Sequence, residues 1–265
     1  MKGKTEDNKK GSILPKTGLA FFIVAAIIFV VIFIRNKANE SNANSIMDDM
    51  QSQIATSETS VDMTDTRLAG INVPPRNIDF ESLQINNSDI YAWIYVPGTS
   101  IDYPVLQYAT DDSYYLERNI DRSVGYPGCI YTESSVNSKN FTDYNTVLYG
   151  HNMLNGTMFA TLHRFEDAAF FEQNQYIYIY TEEKTYVYQI FAAYTYSDKH
   201  LLKGIDISTK ELFGNYIEEI YSNRSLSNNF NQDITVTSDN HIITLSTCTS
   251  QDTKRYLVQG VLLND

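Results

Sequence analysis

Hydrophobic positions follow three different patterns along the chain. Residues 19–34 are sixteen uninterrupted apolar residues. Residues 38–75 are polar and rich in Ser, Asn, Thr and Asp. Beyond residue 97, short runs of β-branched and aromatic residues alternate with turn residues. These patterns predict an apolar helix, a stalk and a mainly β domain.

The β-type pattern recurs in seven runs separated by turn residues: IDYPVLQY, GCIYTE, NTVLYGH, QYIYIYTEEKTYVYQIFAAYTY, ITVT, HIITLSTC and RYLVQGVLL. In the fourth run, alternating tyrosines flank Glu182–Lys184, which predicts a hairpin with one wet and one buried face. Seven or eight short strands with few helices predict a closed or nearly closed β-barrel.

Helical spacing occurs in three places. Ahead of the strands, apolar residues at this spacing are Phe80, Leu83, Ile90 and Trp93. They predict one or two short helices. Two further helices are predicted between strands, at about residues 158–172 and 208–223, and the second has a clear apolar face.

The apolar run near the N-terminus predicts a membrane anchor. A helix over residues 19–34 spans about 24 Å, somewhat less than a ~30 Å hydrocarbon core, and flanking residues can extend it. Its length also fits a cleaved signal peptide, but Arg35 and Lys37 directly after the run favour retention. Five lysines precede it, so the positive-inside bias places the N-terminus in the cytoplasm and residues 38–265 outside, on a single-pass protein of the cell membrane.

The resulting organisation has four parts. A basic cytoplasmic tail covers residues 1–18 and the transmembrane anchor covers residues 19–34. An extracellular stalk or linker covers residues 35–75, with a helix near Ile46–Ile54, and ends at two prolines. Residues 76–265 form the β domain, which is long enough for one core.

Residues 14–18 read LPKTG and precede the apolar run and its basic flank. This order resembles the cell-wall sorting signal of Gram-positive surface proteins. Such signals lie at the C-terminus and are read outside the cell, whereas this one is expected at the cytoplasmic face with thirteen residues before it. A chance match is therefore favoured over a sorting substrate, which would require residues 1–13 to lie outside.

Composition excludes several classes of function. The net charge is −12, and 13 basic residues face 30 acidic ones beyond residue 37, so no basic surface is left for nucleic acid. Two cysteines, Cys129 and Cys248, exclude a disulfide framework. Four scattered histidines without CxxC or HExxH indicate no metal site, and no cofactor is expected.

One cysteine stands where a nucleophile could act. Cys248 ends the apolar strand HIITLSTC and opens a polar loop, and Arg255 begins the last strand seven residues later. If these strands pair antiparallel, Arg255 returns beside Cys248, where a guanidinium favours a thiolate or stabilises an oxyanion. Lys254 is the fallback for this role. Cys129, inside another strand, is interpreted as an inert small hydrophobe.

A thiol nucleophile usually needs an acid–base partner, which histidine supplies near neutral pH. His151 follows the strand NTVLYG through Gly150, so it also lies where a strand meets a loop. The other three are less suited. His163 lies in a predicted helix, His200 in a polar loop, and His241 at the far end of the cysteine strand, about 23 Å away.

Two blocks in combination identify a resemblance. NTVLYGHNM with NGTMFATL, and HIITLSTCT followed by KRYLVQG, resemble the signature blocks of sortases, the cysteine transpeptidases of Gram-positive surfaces. The phrase IDYPVLQ with YYLERN after it, and the helix before the cysteine strand, are most similar to class B. The resemblance covers about residues 76–265 and implies an eight-stranded β-barrel with added helices.

The resemblance also implies functional residues and partners. His151, Cys248 and Arg255 match the family's catalytic positions, and Tyr149, Ser246 and Thr247 flank them as pocket residues or as ordinary strand positions. The implied partners are sorting signals of surface proteins and an amine nucleophile, from a peptidoglycan precursor or a pilin lysine. The alternative is a non-catalytic, stalked, Tyr-rich adhesin, which requires Cys248 to be buried and unreactive.

Overall fold

A computed structural model describes residues 16–54, 68–222, 228–251 and 253–264. The chain divides into two compact units, one ending at Ala38 and the other beginning at Asn39. Helix α1 runs from Lys16 to Ile54.

The first unit contains the N-terminal part of α1. Its large apolar side chains from Phe21 to Ile34 are exposed, and none of the most apolar 18-residue window is buried. The helix has a mean hydropathy of 2.2 over that window, so it is long and apolar enough to cross a membrane. The predicted apolar helix near the N-terminus is therefore confirmed. LPKTG enters the described residues only at Lys16.

In the second unit, residues 39–54 of α1 pack on the β domain. Four apolar side chains on one face of this segment are buried: Ala43, Met47, Met50 and Ile54. Their spacing of three or four residues places them on one face of the helix. The segment is polar overall, so its composition does not reveal this apolar face. Gln51 Nε2 also donates to the Asp102 carbonyl at 2.6 Å. This part of the predicted stalk is thus helical, and residues 55–67 lie outside the described ranges.

Nine strands are present among the described residues: β1 Ile90–Tyr95, β2 Asp102–Leu106, β3 Ile130–Tyr131, β4 Asn145–Tyr149, β5 Tyr176–Tyr180, β6 Thr185–Ser197, β7 Asn229–Phe230, β8 Ile242–Cys248 and β9 Lys254–Leu262. Eight of them pair in the order β5-β1-β2-β3-β4-β8-β9-β6, and β6 pairs with β5 to close the barrel. The two-residue β7 adds to β6. Pairs β2–β3 and β4–β8 are parallel and the others antiparallel. The predicted eight-stranded barrel is therefore confirmed.

Short helices precede or connect the strands: α2 Phe80–Asn86, α3 Ala168–Gln173, α4 Lys210–Ser222, and 3₁₀ helices at Tyr114–Leu116 and Ala160–Glu166. The apolar face of α4 buries four side chains against the outside of the barrel: Phe213, Tyr216, Ile217 and Ile220. Gln259 in β9 donates to the Tyr216 hydroxyl at 3.1 Å and to Thr244 Oγ1 at 2.8 Å. These buried hydrogen bonds join α4, β8 and β9.

Two stretches differ from the sequence prediction. Ile90 and Trp93 belong to strand β1 rather than to a helix, because a strand buried on both faces lacks the alternation that separates strand from helix. The ITVT run, residues 234–237, forms no regular strand. The hairpin around Glu182–Lys184 forms as predicted between β5 and β6.

Candidate active site

Cys248 is the last residue of β8. Residues Ile242 to Thr247 of this strand are buried, whereas the Cys248 side chain is exposed and its thiol is free. The strand therefore holds the cysteine backbone rigidly and presents its sulfur at the barrel rim. The adhesin alternative requires a buried Cys248, so the exposure of this residue contradicts it.

Arg255 lies directly opposite Cys248 in the antiparallel β8–β9 ladder. Directly opposed residues in such a ladder project from the same face, with Cβ atoms roughly 5 Å apart. Arg255 as a residue is part-buried, and its Nη1 donates to the Lys254 carbonyl at 3.0 Å. Lys254 is one position away, so it alternates to the other face. Register therefore favours Arg255 over Lys254 as the partner of the thiol.

His151 reaches the same rim through β4, which lies parallel to β8. Tyr149 pairs with Ser246, and the Gly150 amide donates to the Ser246 carbonyl at 3.2 Å. β4 ends two residues before His151, so this register brings His151 to the same end of the sheet as Cys248. A Cβ at Gly150 would lie 2.5 Å from Ile130 Cδ1, so only glycine fits at this exit.

The loop before β3 holds the His151 ring. Its Nε2 lies 2.6 Å from the Leu116 carbonyl, and its ring meets Tyr126 edge-on at 5.0 Å between centroids. Gly128 lets the backbone pass close to the ring. A carbonyl oxygen only accepts, so Nε2 carries a proton in this contact. In the neutral ring, Nδ1 is then the nitrogen that can take up a proton.

The three sequence-predicted pocket residues have different environments. Ser246 and Thr247 are buried, and Thr247 Oγ1 donates to the Gly150 carbonyl at 2.8 Å, which ties β8 to the His151 turn. Tyr149 is half-buried and stacks on Tyr131 at 5.5 Å. The burial of Ser246 and Thr247 favours their interpretation as ordinary strand positions. Tyr149, which is only half-buried, is the one of the three that could line a pocket.

The β6–α4 loop is fastened beside Tyr149. His200 Nε2 lies 2.8 Å from Glu133, and Lys203 Nζ lies 2.8 Å from Asp112 and 3.1 Å from Glu133. Burial acts to raise the pKa of Asp112, but hydrogen bonds from Lys203 and a neighbouring serine hold that pKa well below its usual range. This ion-pair network fixes one side of the rim.

Three residues near Cys248 were not selected from the sequence. Asn152 Nδ2 donates to the Cys248 carbonyl at 3.0 Å, and His163 Nε2 lies 3.0 Å from the same oxygen. Glu166 Oε1 contacts His163 Nδ1 at 2.6 Å. The only local signal was the three-residue spacing of His163 and Glu166, which eclipses side chains on a 3₁₀ helix.

Comparison with known proteins agrees with this architecture. The Sortase domain family model matches residues 94–263. Sortase B of Staphylococcus aureus is 34% identical over 187 residues, 69% of this chain and 74% of the relative. Sortase B of Listeria monocytogenes is 28% identical, over 70% of this chain and 74% of the relative.

Solved structures give the same result. Clostridium perfringens sortase B superposes with a TM-score of 0.62 at 34% identity, covering 70% of this chain and all of that one. A Staphylococcus aureus sortase B–substrate complex gives 0.67 at 28% identity, covering 85% and 98%. The chain therefore belongs to the sortase family. Within the family it is a class B sortase-like protein.

Proposed function

We propose that this protein is a membrane-anchored cysteine transpeptidase that cleaves a sorting motif in surface proteins and transfers the acyl part to an amine. The observation that carries the proposal is the exposed Cys248 thiol directly opposite Arg255, with His151 just beyond the end of the adjoining parallel strand β4. Family membership supports the same chemistry. A stalked adhesin would leave this arrangement without a role.

In the first half-reaction, the Cys248 thiolate attacks a backbone carbonyl carbon in the sorting motif, that of its threonine by family resemblance. A C–S bond forms and the carbonyl oxygen becomes an oxyanion, which Arg255 stabilises. The tetrahedral intermediate collapses as the C–N bond breaks. His151 gives its proton to the departing amine, which leaves a thioester on Cys248.

In the second half-reaction, an incoming amine attacks the thioester carbon. His151 takes a proton from the amine as the new C–N bond forms, and the C–S bond breaks to restore the thiolate. One amide bond is exchanged for another, so no external energy source or cofactor is needed. The acceptor we propose is a peptidoglycan-precursor amine or a pilin lysine.

The proposal is tested by mass spectrometry of the purified protein after incubation with a set of sorting pentapeptides. We expect an acyl adduct on Cys248 with at least one peptide and its release on addition of an amine. The peptide that forms the adduct identifies the sorting motif. Failure of every pentapeptide to acylate Cys248 would contradict the proposed activity.

Replacing Arg255 separates its role from that of the adjacent lysine. We expect Arg255→Ala to lower kcat by roughly 10² to 10³-fold, as loss of one oxyanion donor does elsewhere. Lys254→Ala is the matched control, since it removes a positive charge one position away, on the other face of β9. Steady-state kinetics with the selected peptide measures both. Equal losses in the two variants would show that only local charge matters.

The apolar part of α1 is proposed to anchor the protein in the cell membrane, with the N-terminus in the cytoplasm and the barrel outside. A tag placed before residue 1 should then resist external protease on intact cells, whereas a C-terminal tag should be digested. The opposite result would invert the topology. Digestion of the N-terminal tag would also reopen the interpretation of LPKTG as a sorting signal.

A further inference from the structure

A second histidine, His163, contacts the backbone of the proposed nucleophile Cys248. His163 lies on the 3₁₀ helix Ala160–Glu166, and its Nε2 is 3.0 Å from the backbone carbonyl oxygen of Cys248. Its Nδ1 is 2.6 Å from Glu166 Oε1, and its ring stacks on Tyr256 with 4.9 Å between centroids. Three contacts from different elements therefore fix the orientation of this ring.

We infer that His163, oriented by Glu166, is a positioning residue that holds the Cys248 carbonyl and thereby fixes the end of strand β8 for catalysis. This inference rests on the proposed transpeptidase function. Beyond Cys248, the Thr249 amide makes one long backbone bond to the Lys254 carbonyl, at 3.4 Å, and the chain then enters a loop. Asn152 Nδ2 donates to the Cys248 carbonyl and His163 Nε2 lies 3.0 Å from the same oxygen, so two side chains hold this end of β8.

Proton count decides how the ring can make these contacts. A carboxylate oxygen and a carbonyl oxygen are both acceptors, so donating to Glu166 and to Cys248 at once requires both ring nitrogens to be protonated. In the neutral ring with Nδ1–H directed to Glu166, Nε2 instead accepts a hydrogen bond from Asn152 Nδ2, 3.2 Å away. The hydrogen bond that His163 Nε2 donates to the Cys248 carbonyl, here called the clamp, therefore forms only in the imidazolium form.

The charges around His163 come from three elements. Glu166 lies on its own helix, and Cys248 ends β8. From β9, Lys254 lines the same cleft and Tyr256 stacks on the ring. Burial raises the pKa of Tyr256, so this side chain is neutral and Glu166 is the anion in contact with the ring.

Two substitutions distinguish the clamp from general packing. In His163→Gln, the amide nitrogen takes the place of Nε2 and can donate to the Cys248 carbonyl. In His163→Asn, the shorter amide takes the place of Nδ1 and cannot reach it. We expect His163→Asn to lower the rate constant of acyl-enzyme formation about tenfold with KM unchanged, and His163→Gln to retain most of it.

The pH profile gives a readout that packing alone does not change. Glutamine donates at every pH, whereas histidine donates to Cys248 only when protonated. The ratio of wild-type to His163→Gln rate constants should fall as pH rises. In Glu166→Gln, which replaces the carboxylate that orients the His163 ring, acyl-enzyme formation should be slower. Glu172→Gln, an exposed acid on α3, is the matched control and should leave the profile unchanged.

Equal rate constants for the Gln and Asn variants at all pH values, or a wild-type to Gln ratio independent of pH, would overturn the inference. Thermal melting of each variant checks that it is folded, and Glu166→Gln tests the clamp even if His163→Asn does not fold. Alkylation of Cys248 by iodoacetamide requires no sorting peptide. Slower alkylation in His163→Asn supports the clamp even where every peptide fails to acylate the protein.

Discussion

Replacing Cys248 with alanine should abolish both the acyl adduct and amide exchange, with a loss of at least about 10⁴-fold in kcat. The reason is chemical rather than structural. Cys248 is exposed at a strand end and packs little, so its removal takes away the nucleophile while leaving the barrel intact. Mass spectrometry and peptide cleavage measure the two losses, and circular dichroism checks the fold.

Cys129→Ala is the matched control for this substitution. Cys129 is buried, burial raises the pKa of its thiol well above the usual value, and its Sγ lies 3.5 Å from the Arg118 carbonyl. A buried neutral thiol is a poor nucleophile. We expect this variant still to form the acyl adduct, and we expect its folded state to be somewhat less stable than that of the wild type. An adduct that persists in Cys248→Ala and disappears in Cys129→Ala would reverse the assignment of the nucleophile.

The second large effect is expected for His151→Ala, which should lower kcat by roughly 10² to 10⁴-fold, the usual contribution of a positioned acid–base group. Without the imidazole, the departing amine must leave unprotonated and the incoming amine must attack without a base. Peptide cleavage in the absence and presence of an amine acceptor measures both halves of the reaction.

His241→Ala is the control for His151, because this histidine precedes β8 at the opposite end, where its Nδ1 lies 3.0 Å from the Asp143 carbonyl. Its removal should leave kcat within about twofold of the wild type, as for surface positions away from special features. Comparable losses of kcat in both variants would indicate that the His151 substitution acts through the fold rather than through the chemistry.

The sequence predicted the local parts of this molecule well. The β5–β6 hairpin, helix α4 and the return of Arg255 to Cys248 all depend on residues close in the chain, where alternation and turn residues carry the information. The parallel β4–β8 pairing joins residues about a hundred positions apart, and no local pattern encodes it. The resemblance to sortases implied an eight-stranded barrel and a joint role for His151 and Cys248, but it did not specify which strands pair.

The misses have related causes. Strand β1 is buried on both faces, so it lacks the period of two that would have identified it. His163 was correctly expected in a helical segment, but its partner oxygen belongs to a residue 85 positions later. A histidine in a helix gives no indication of such a contact, so its place beside Cys248 emerges only in three dimensions.

The direct pairing of Cys248 with Arg255 also determines how this hairpin can vary. Residues inserted between the two strands lengthen the connection without moving the sulfur relative to the guanidinium, and doubling a loop costs only about 0.6 kcal/mol. One residue added within either strand would turn the arginine to the opposite face. The length and composition of this connection can therefore vary while Cys248 and Arg255 stay opposite each other.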